Sequence, residues 1–172
     1  MKKTTAVVGA AGLAVTAMLS GCVTNEEPAL PEGWTAPNVD EVPEIAAMYE
    51  DADGVLTVGT NPPFAPFEFK DSDGSIIGLE MDLAHAVAQV LGLEFQPVEQ
   101  DFSMILPAVQ SGQVDLGGSG FTDTPERREN FDFVDILYAG IQWAALTDGP
   151  RDVDPSNPCG LTVAVQRTTV SE

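Results

Sequence analysis

Between Val55 and Leu116, short apolar runs alternate with stretches of helical period, joined by short links, and no other feature so restricts what this chain can fold into. Val55 to Thr60 is an apolar run closed by Gly59 and reads as a buried strand. From Met81 to Leu91 the residues Leu83, Val87, Val90 and Leu91 fall on one face at helical spacing, and Gly92 supplies a C-cap. His85 falls on the opposite face and reads as solvated. Leu93 to Val98 gives a second strand and Phe102 to Gln110 a second helix, ended by Gly112 and with Pro107 placed near its start, where a missing N–H costs least. Val114 to Leu116 is a third strand. Such alternation predicts an α/β lobe on a parallel sheet, in which ligands sit beyond the strands' carboxyl ends. Two loops fall on that edge. Asn61 to Phe69 holds three prolines and cannot be regular structure, and Ser119 to Thr122 follows the third strand.

Further along, Gly140 to Leu146 and Leu161 to Val165 read as strands, separated by an Asp- and Pro-rich boundary from Asp148 to Pro158. The expected organisation is a first lobe over 51–148 and a hinge with the start of a second, truncated lobe over 149–172. The chain is then expected to end just inside that second lobe.

Residues 1–22 carry Lys2 and Lys3, an apolar run from Ala6 to Leu19, and Leu19-Ser20-Gly21-Cys22. This pattern resembles a bacterial lipoprotein signal whose lipobox cysteine, here Cys22, receives the lipid and becomes the mature N-terminus; an ordinary secretory signal with an incidental cysteine is the alternative. Residues 23–50, rich in proline and acids, are expected to be a flexible tether holding the domain off the membrane. Loss of Lys2 and Lys3 with the signal leaves five basic residues against 27 acidic ones, a formal charge of −22. Nucleic acid and anionic lipid headgroups would be repelled by such a chain. Cys159 is the one remaining cysteine and has no partner in this sequence.

Asp115 to Arg128, DLGGSGFTDTPERR, sets loop donors and an arginine at the mouth of the third strand. Thr124-Pro125-Glu126 reads as N-cap, N1 and N2 of a new helix with Arg127 in its first turn, so that the guanidinium fork can meet a carboxylate beside Ser119 and Thr122. Taken alone, the run fits a surface arginine beside a Gly-rich turn equally well. Enzyme signatures fare worse. Gly117-Gly118-Ser119-Gly120-Phe121 imitates a nucleophile elbow but has Phe121 where glycine belongs, and no histidine is placed as base. The same glycines lack the Gly-Lys-Ser/Thr ending of a phosphate loop, and one histidine with one free cysteine argues against zinc, so neither a cofactor nor a metal is expected.

GLEMDLAHAVAQVL over Gly78 to Leu91, FSMILPAVQSGQVDL over Phe102 to Leu116 and FTDTPERRENFDFVD over Phe121 to Asp135 occur in order, and with them the chain resembles the polar amino-acid solute-binding proteins of ABC importers, family 3. The resemblance implies a clamp of the periplasmic-binding-protein-like type II fold that closes on an amino acid, with no catalysis. It implies that Phe64 and Phe102 wall the ligand side chain, that Ser119, Gly120 and Thr122 contact the α-carboxylate and α-amino group, and that Arg127 clamps the carboxylate. Gln166, Thr169 and Val170 would add the second lobe's contacts, with backbone N–H groups at a helix start. Two departures stand out: Thr168 replaces the usual glycine, and Asn61 stands where many relatives carry aspartate. Asn61 and the pattern at Phe64, Phe102, Gly120 and Thr122 favour glutamine or glutamate over lysine or arginine. Cysteines like Cys159 often pair later in the second lobe of relatives. A monomer is expected, anchored outside the cytoplasmic membrane and delivering its ligand to ABC permease subunits. Sensor domains and cyclohexadienyl-dehydratase-like enzymes share the fold and form the alternative reading.

Overall fold

The computed structural model describes residues 35, 38–49, 53–149 and 153–172, so the signal segment, Cys22 and most of the expected tether lie outside the described residues. In chain order its elements are α1 (Pro43–Ala46), β1 (Val55–Thr60), β2 (Phe69–Lys70), β3 (Ile76–Ile77), α2 (Leu79–Val90), β4 (Glu94–Glu99), α3 (Phe102–Gln110) and β5 (Leu116–Gly117), followed by a 3-10 turn at Arg127–Glu129. β4, β1 and β5 form a parallel sheet in that order, with Val55 opposite Glu94 and Val58 opposite Leu116. Parallel strands need crossovers, and α2 and α3 supply them. β4 lies at an edge, which is where the proline of this strand, Pro97, is tolerated. β2 and β3 make a small antiparallel hairpin whose turn is closed by Asp71 and Asp73 accepting from backbone N–H groups.

Leu56 and Val58 of β1 pack on Met81 and Ala88 of α2, while Gly59, pointing the other way along the same strand, faces Ile105 of α3 and Val114. Side chains alternate along a strand, so the two helices cover opposite faces of the sheet. The buried face of α2 agrees with the one predicted only in part, at Leu91. Leu83 and Val87 are 42% and 46% exposed, whereas Met81, Ala84, Ala88 and Leu91 turn inward. Two apolar stripes share this helix, and the one with the smaller residues wins because Ala84 and Ala88 let the helix axis approach β1 closely. His85 is half-buried and stacks on Phe95 with ring centroids 5.4 Å apart, so it is not the solvated side chain expected.

Pro107 lies inside α3, past the first turn. The carbonyl it cannot reach belongs to Ser103, and both residues are exposed, so water can take the unused acceptor. At α2's other end, Gly78 is the N-cap at φ 132°, and any side chain there would run into the Phe67 carbonyl.

Two strands and one helix expected later in the chain are absent from the described residues. Gly140–Leu146 and Leu161–Val165 are not in any sheet, because an extended segment becomes a strand only when a neighbour exchanges hydrogen bonds with it and none does so among the described residues. Residues 167–171 form turns, so Thr169 and Val170 do not open a helix. Residues 38–49, expected as tether, fold back on α2: Val42 N–H donates to the Val90 carbonyl at 2.9 Å, and Gln89 bonds both Asn38 and the Val39 N–H.

Candidate functional site

The carboxyl ends of the three parallel strands all discharge into one cleft. β1 runs into Asn61, β4 into Gln100 and Phe102, and β5 into Ser119 and Gly120. The chain crosses from β1 to β4 on one side and then back past β1 to β5 on the other, so the strand order reverses between β1 and β5 and makes that boundary a topological switch point. Asn61, Phe64, Phe102, Ser119, Gly120, Thr122, Arg127, Gln166, Thr169 and Val170 all line the cleft, so the ten ligand-contact residues inferred from the sequence are brought to one place. The cleft encloses about 1590 Å³, more than the roughly 300–1,000 Å³ of a formed small-molecule pocket. It is an open groove.

Arg127 sits at one end. Thr124 Oγ1 accepts the Arg127 N–H at 3.2 Å, and the element that follows is a single 3-10 turn, Arg127–Glu129, instead of the longer helix expected. The Arg127 guanidinium lies 5.5 Å over the Phe121 ring, which stacks in turn on Phe102 at 4.5 Å. Nη1 donates to the Thr122 carbonyl at 2.7 Å and Nη2 to the Thr168 carbonyl at 2.8 Å. Burial lowers the Arg127 pKa from its ordinary value, with Glu126 acting against that, and the group stays cationic. Arg128, one residue on, turns away to pair with Asp123.

Asn61 also lines the groove and is oriented by its neighbours. Nδ2 donates to the Gln100 carbonyl at 2.9 Å, and Oδ1 accepts from Gln166 Nε2 at 3.3 Å. The acceptor end of the amide therefore faces the cleft. Phe64, half exposed, stacks on Phe67 at 5.4 Å and presses on Gly120, where an added Cβ would lie 2.7 Å from its ring. Gly120 also has φ 60°, so this position takes no other residue without strain.

Two inferred contacts are arranged otherwise than expected. Ser119 is 4% exposed, and its hydroxyl accepts from the Asn61 N–H at 3.2 Å while donating to Glu68 Oε1 at 2.6 Å. The Gly120 N–H donates to Glu80 Oε2 at 2.8 Å. Both loop groups face inward to carboxyls of the protein, which leaves Arg127 and Thr122 as the groups of this loop best placed for a ligand. Thr168, flagged for replacing glycine, adopts φ 64°, the left-handed conformation in which glycine costs nothing.

Glu68, Glu80, Gln100 and Phe121 were not singled out from the sequence. The available signal was Glu68 itself, an acid flanked by Phe67 and Phe69 in a proline-rich loop, since a charge set among aromatic residues has to find a buried partner. Among the described residues no group of three or more His, Cys, Asp or Glu could hold a metal ion.

A parallel α/β lobe with a groove beyond the carboxyl ends of its strands is the architecture of a ligand-binding α/β protein. The sequence pattern of the bacterial extracellular solute-binding proteins, family 3, matches residues 56–167, and the chain belongs to that family. It is 62% identical to the arginine-binding protein ArgT of Corynebacterium glutamicum over 97% of this chain and 56% of that protein. It is 35% identical to the arginine-binding extracellular protein ArtP of Bacillus subtilis over 68% of this chain and 46% of that one. A solved ancestral arginine-binding protein bound to arginine aligns at 45% identity over 48% of this chain and 36% of that one, with a TM-score of 0.46. The chain spans about half the length of the curated relatives it matches.

Proposed function

We propose that this chain is the ligand-binding component of an amino-acid ABC importer and that its ligand is a cationic amino acid of the arginine type. The observation that carries the side-chain assignment is the orientation of Asn61, one of whose two N–H donors is engaged by the Gln100 carbonyl and whose Oδ1 acceptor, shared with Gln166, faces the groove. A guanidinium offers only donors and so suits an acceptor; a glutamate side chain offers only acceptors and does not. Phe64 and Phe102 line the same wall, and aromatic faces attract a guanidinium by about 0.5–2 kcal/mol. The two relatives named as arginine binders support the same reading, which replaces the preference for glutamine or glutamate drawn from the residue pattern.

Arg127 takes the ligand's α-carboxylate in this reading. A carboxylate competes for Nη2 with the Thr168 carbonyl, a neutral acceptor, and the charged bidentate pair is about twice as strong a bond. Gln166, Thr169 and Val170 close over the ligand from the other wall. Cys22 anchors the protein by lipid on the outer face of the cytoplasmic membrane, from which it supplies the permease; no helix among the described residues is long and apolar enough to cross a membrane.

Calorimetry of the full-length protein against arginine, lysine, histidine, glutamine and glutamate tests the ligand. Arginine is expected to bind at least tenfold more tightly than glutamine or glutamate, and equal or tighter binding of either overturns the assignment. Cys22→Ala should release the protein from membranes or leave it unprocessed. Normal processing with retention would remove the lipid anchor from this reading.

A further inference from the structure

Behind the groove, two carboxyl groups meet where no ligand reaches. Glu68 is 0% exposed, in a loop pinned by the Phe64 N–H donating to the Glu68 carbonyl at 2.6 Å. Glu80 is in the first turn of α2, its own N–H donating to the Phe67 carbonyl at 3.0 Å. The two carboxyl groups are close enough to act on each other's ionisation. Neither lines the groove, so neither is a countercharge for the ligand.

We propose that Glu68, fully buried, and Glu80, half-buried, are positioning residues, an acid–carboxylate pair sharing one proton that holds the Ser119 hydroxyl and the Gly120 amide and so sets the shape of the ligand loop.

The geometry requires the proton. Oε1 of Glu68 accepts the Ser119 hydroxyl at 2.6 Å, but Oε2 is buried and has no partner as a carboxylate oxygen. Protonated, Oε2 becomes a donor and Glu80 its acceptor. Two carboxylates side by side, one of them fully buried, disfavour each other's ionisation. Which one keeps the proton follows from their places in the fold. Glu80 lies at the positive end of the α2 dipole and takes the Gly120 N–H, both of which favour its charge; Glu68 has neither. Burial raises the Glu68 carboxyl to about 8; the Ser119 bond opposes the rise, and the Glu80 charge and bond add to it. Burial also raises Glu80, opposed by the Gly120 N–H, Glu68 and the Ser119 backbone; among the described residues no cation acts on either group. The Asn61 N–H completes the chain by donating to Ser119 Oγ, so the pair is connected to both walls of the groove.

Its effect on affinity rests on the proposed ligand reading, whereas the shared proton is a property of the folded chain and is tested without ligand. Infrared spectra of the ligand-free protein with isotopically labelled glutamate should show a protonated carboxyl at pH 7 that titrates near 8 and is missing from Glu68→Gln. No protonated band at pH 7 overturns the proposal, whether or not any variant folds. Stability gives a second reading. A folded pKa of about 8 against an ordinary 4.5 means that the wild type loses stability relative to Glu68→Gln as pH rises from 4.5 to 8 and levels off above it. A flat difference overturns the pair.

Arginine titrations at pH 7 and pH 9 complete the test. Glu68→Gln, which keeps a donor and an acceptor but cannot ionise, should bind within threefold of wild type at pH 7. At pH 9 the wild type should fall behind it by roughly tenfold, the ratio of ionised to protonated Glu68 one unit above about 8. An unchanged ratio at the two pH values overturns the link to the loop. Absence of arginine binding in both proteins at both pH values counts against the ligand assignment and overturns the link, leaving the infrared and stability results to decide the shared proton.

Discussion

Residues 53–130 and 131–172 contribute to the same groove by different physics. The first region carries every strand described, with Leu56, Val58, Met81, Ile105 and Ala108 buried between sheet and helices. In the second, Ile141, Trp143, Leu161, Val163 and Val165 are exposed and no helix or strand is formed among the described residues. Both stretches are apolar enough to be strands. The first has neighbours to pair with and a core to fill; the second is tied to the first by side-chain contacts such as Arg127 to Thr168 and Gln166 to Asn61. Hydrophobic content alone therefore does not make structure, and partners for the backbone are the other requirement.

This contrast can be broken or sharpened by substitution. The largest effect belongs to the first region. Ile105 is fully buried between Gly59 and Gly117, and Ile105→Ala should cost about 2–5 kcal/mol in chemical denaturation. A loss below about 1 kcal/mol would mean that this core is no better packed than the second region. Arg127→Ala acts where the regions meet. If Arg127 holds the ligand carboxylate in a dehydrated cleft, its loss costs roughly 2–5 kcal/mol and weakens arginine binding by at least about 30-fold in calorimetry, with Arg127→Lys restoring only part.

A smaller gain is expected in the second region. Thr168 at φ 64° carries a left-handed strain of roughly 1–2 kcal/mol that glycine lacks, offset by the roughly 0.5–1 kcal/mol entropy cost of glycine. Thr168→Gly should stabilise the protein by no more than about 1.5 kcal/mol, seen as a raised denaturant midpoint at constant slope; destabilisation would show that the threonine side chain holds the loop. Arg128→Ala should be the smallest change. Its exposed side chain pairs with Asp123 away from the groove, and arginine affinity should shift by less than about threefold. Equal effects at Arg127 and Arg128 would place the carboxylate elsewhere.

Much of the first region was legible because local signals agreed with one another. β1 is where its apolar run placed it and α3 has its predicted ends, while β4 and β5 are each shifted by one or two residues. Arg127 was legible for a similar reason, since Thr124 and Pro125 announce the turn that carries it. Orientation was less legible. The helical period of α2 was correct but its buried face only in part, because two apolar stripes run along it and only the distance to β1 chooses between them.

By itself, the order and spacing of residues determined an α/β lobe and the loops at its carboxyl edge, because these depend on hydrophobic period and turn chemistry that act over a few residues; the side chains expected around the groove came from the family resemblance. Only the tertiary structure decided which way each polar group points. Asn61 presents an acceptor because Gln100 takes its donor, and Ser119 and Gly120 turn inward because Glu68 and Glu80 lie behind them. A hydrogen bond takes its direction from its partner, and these partners come from 39 to 105 residues away in the chain, a separation that no local pattern spans.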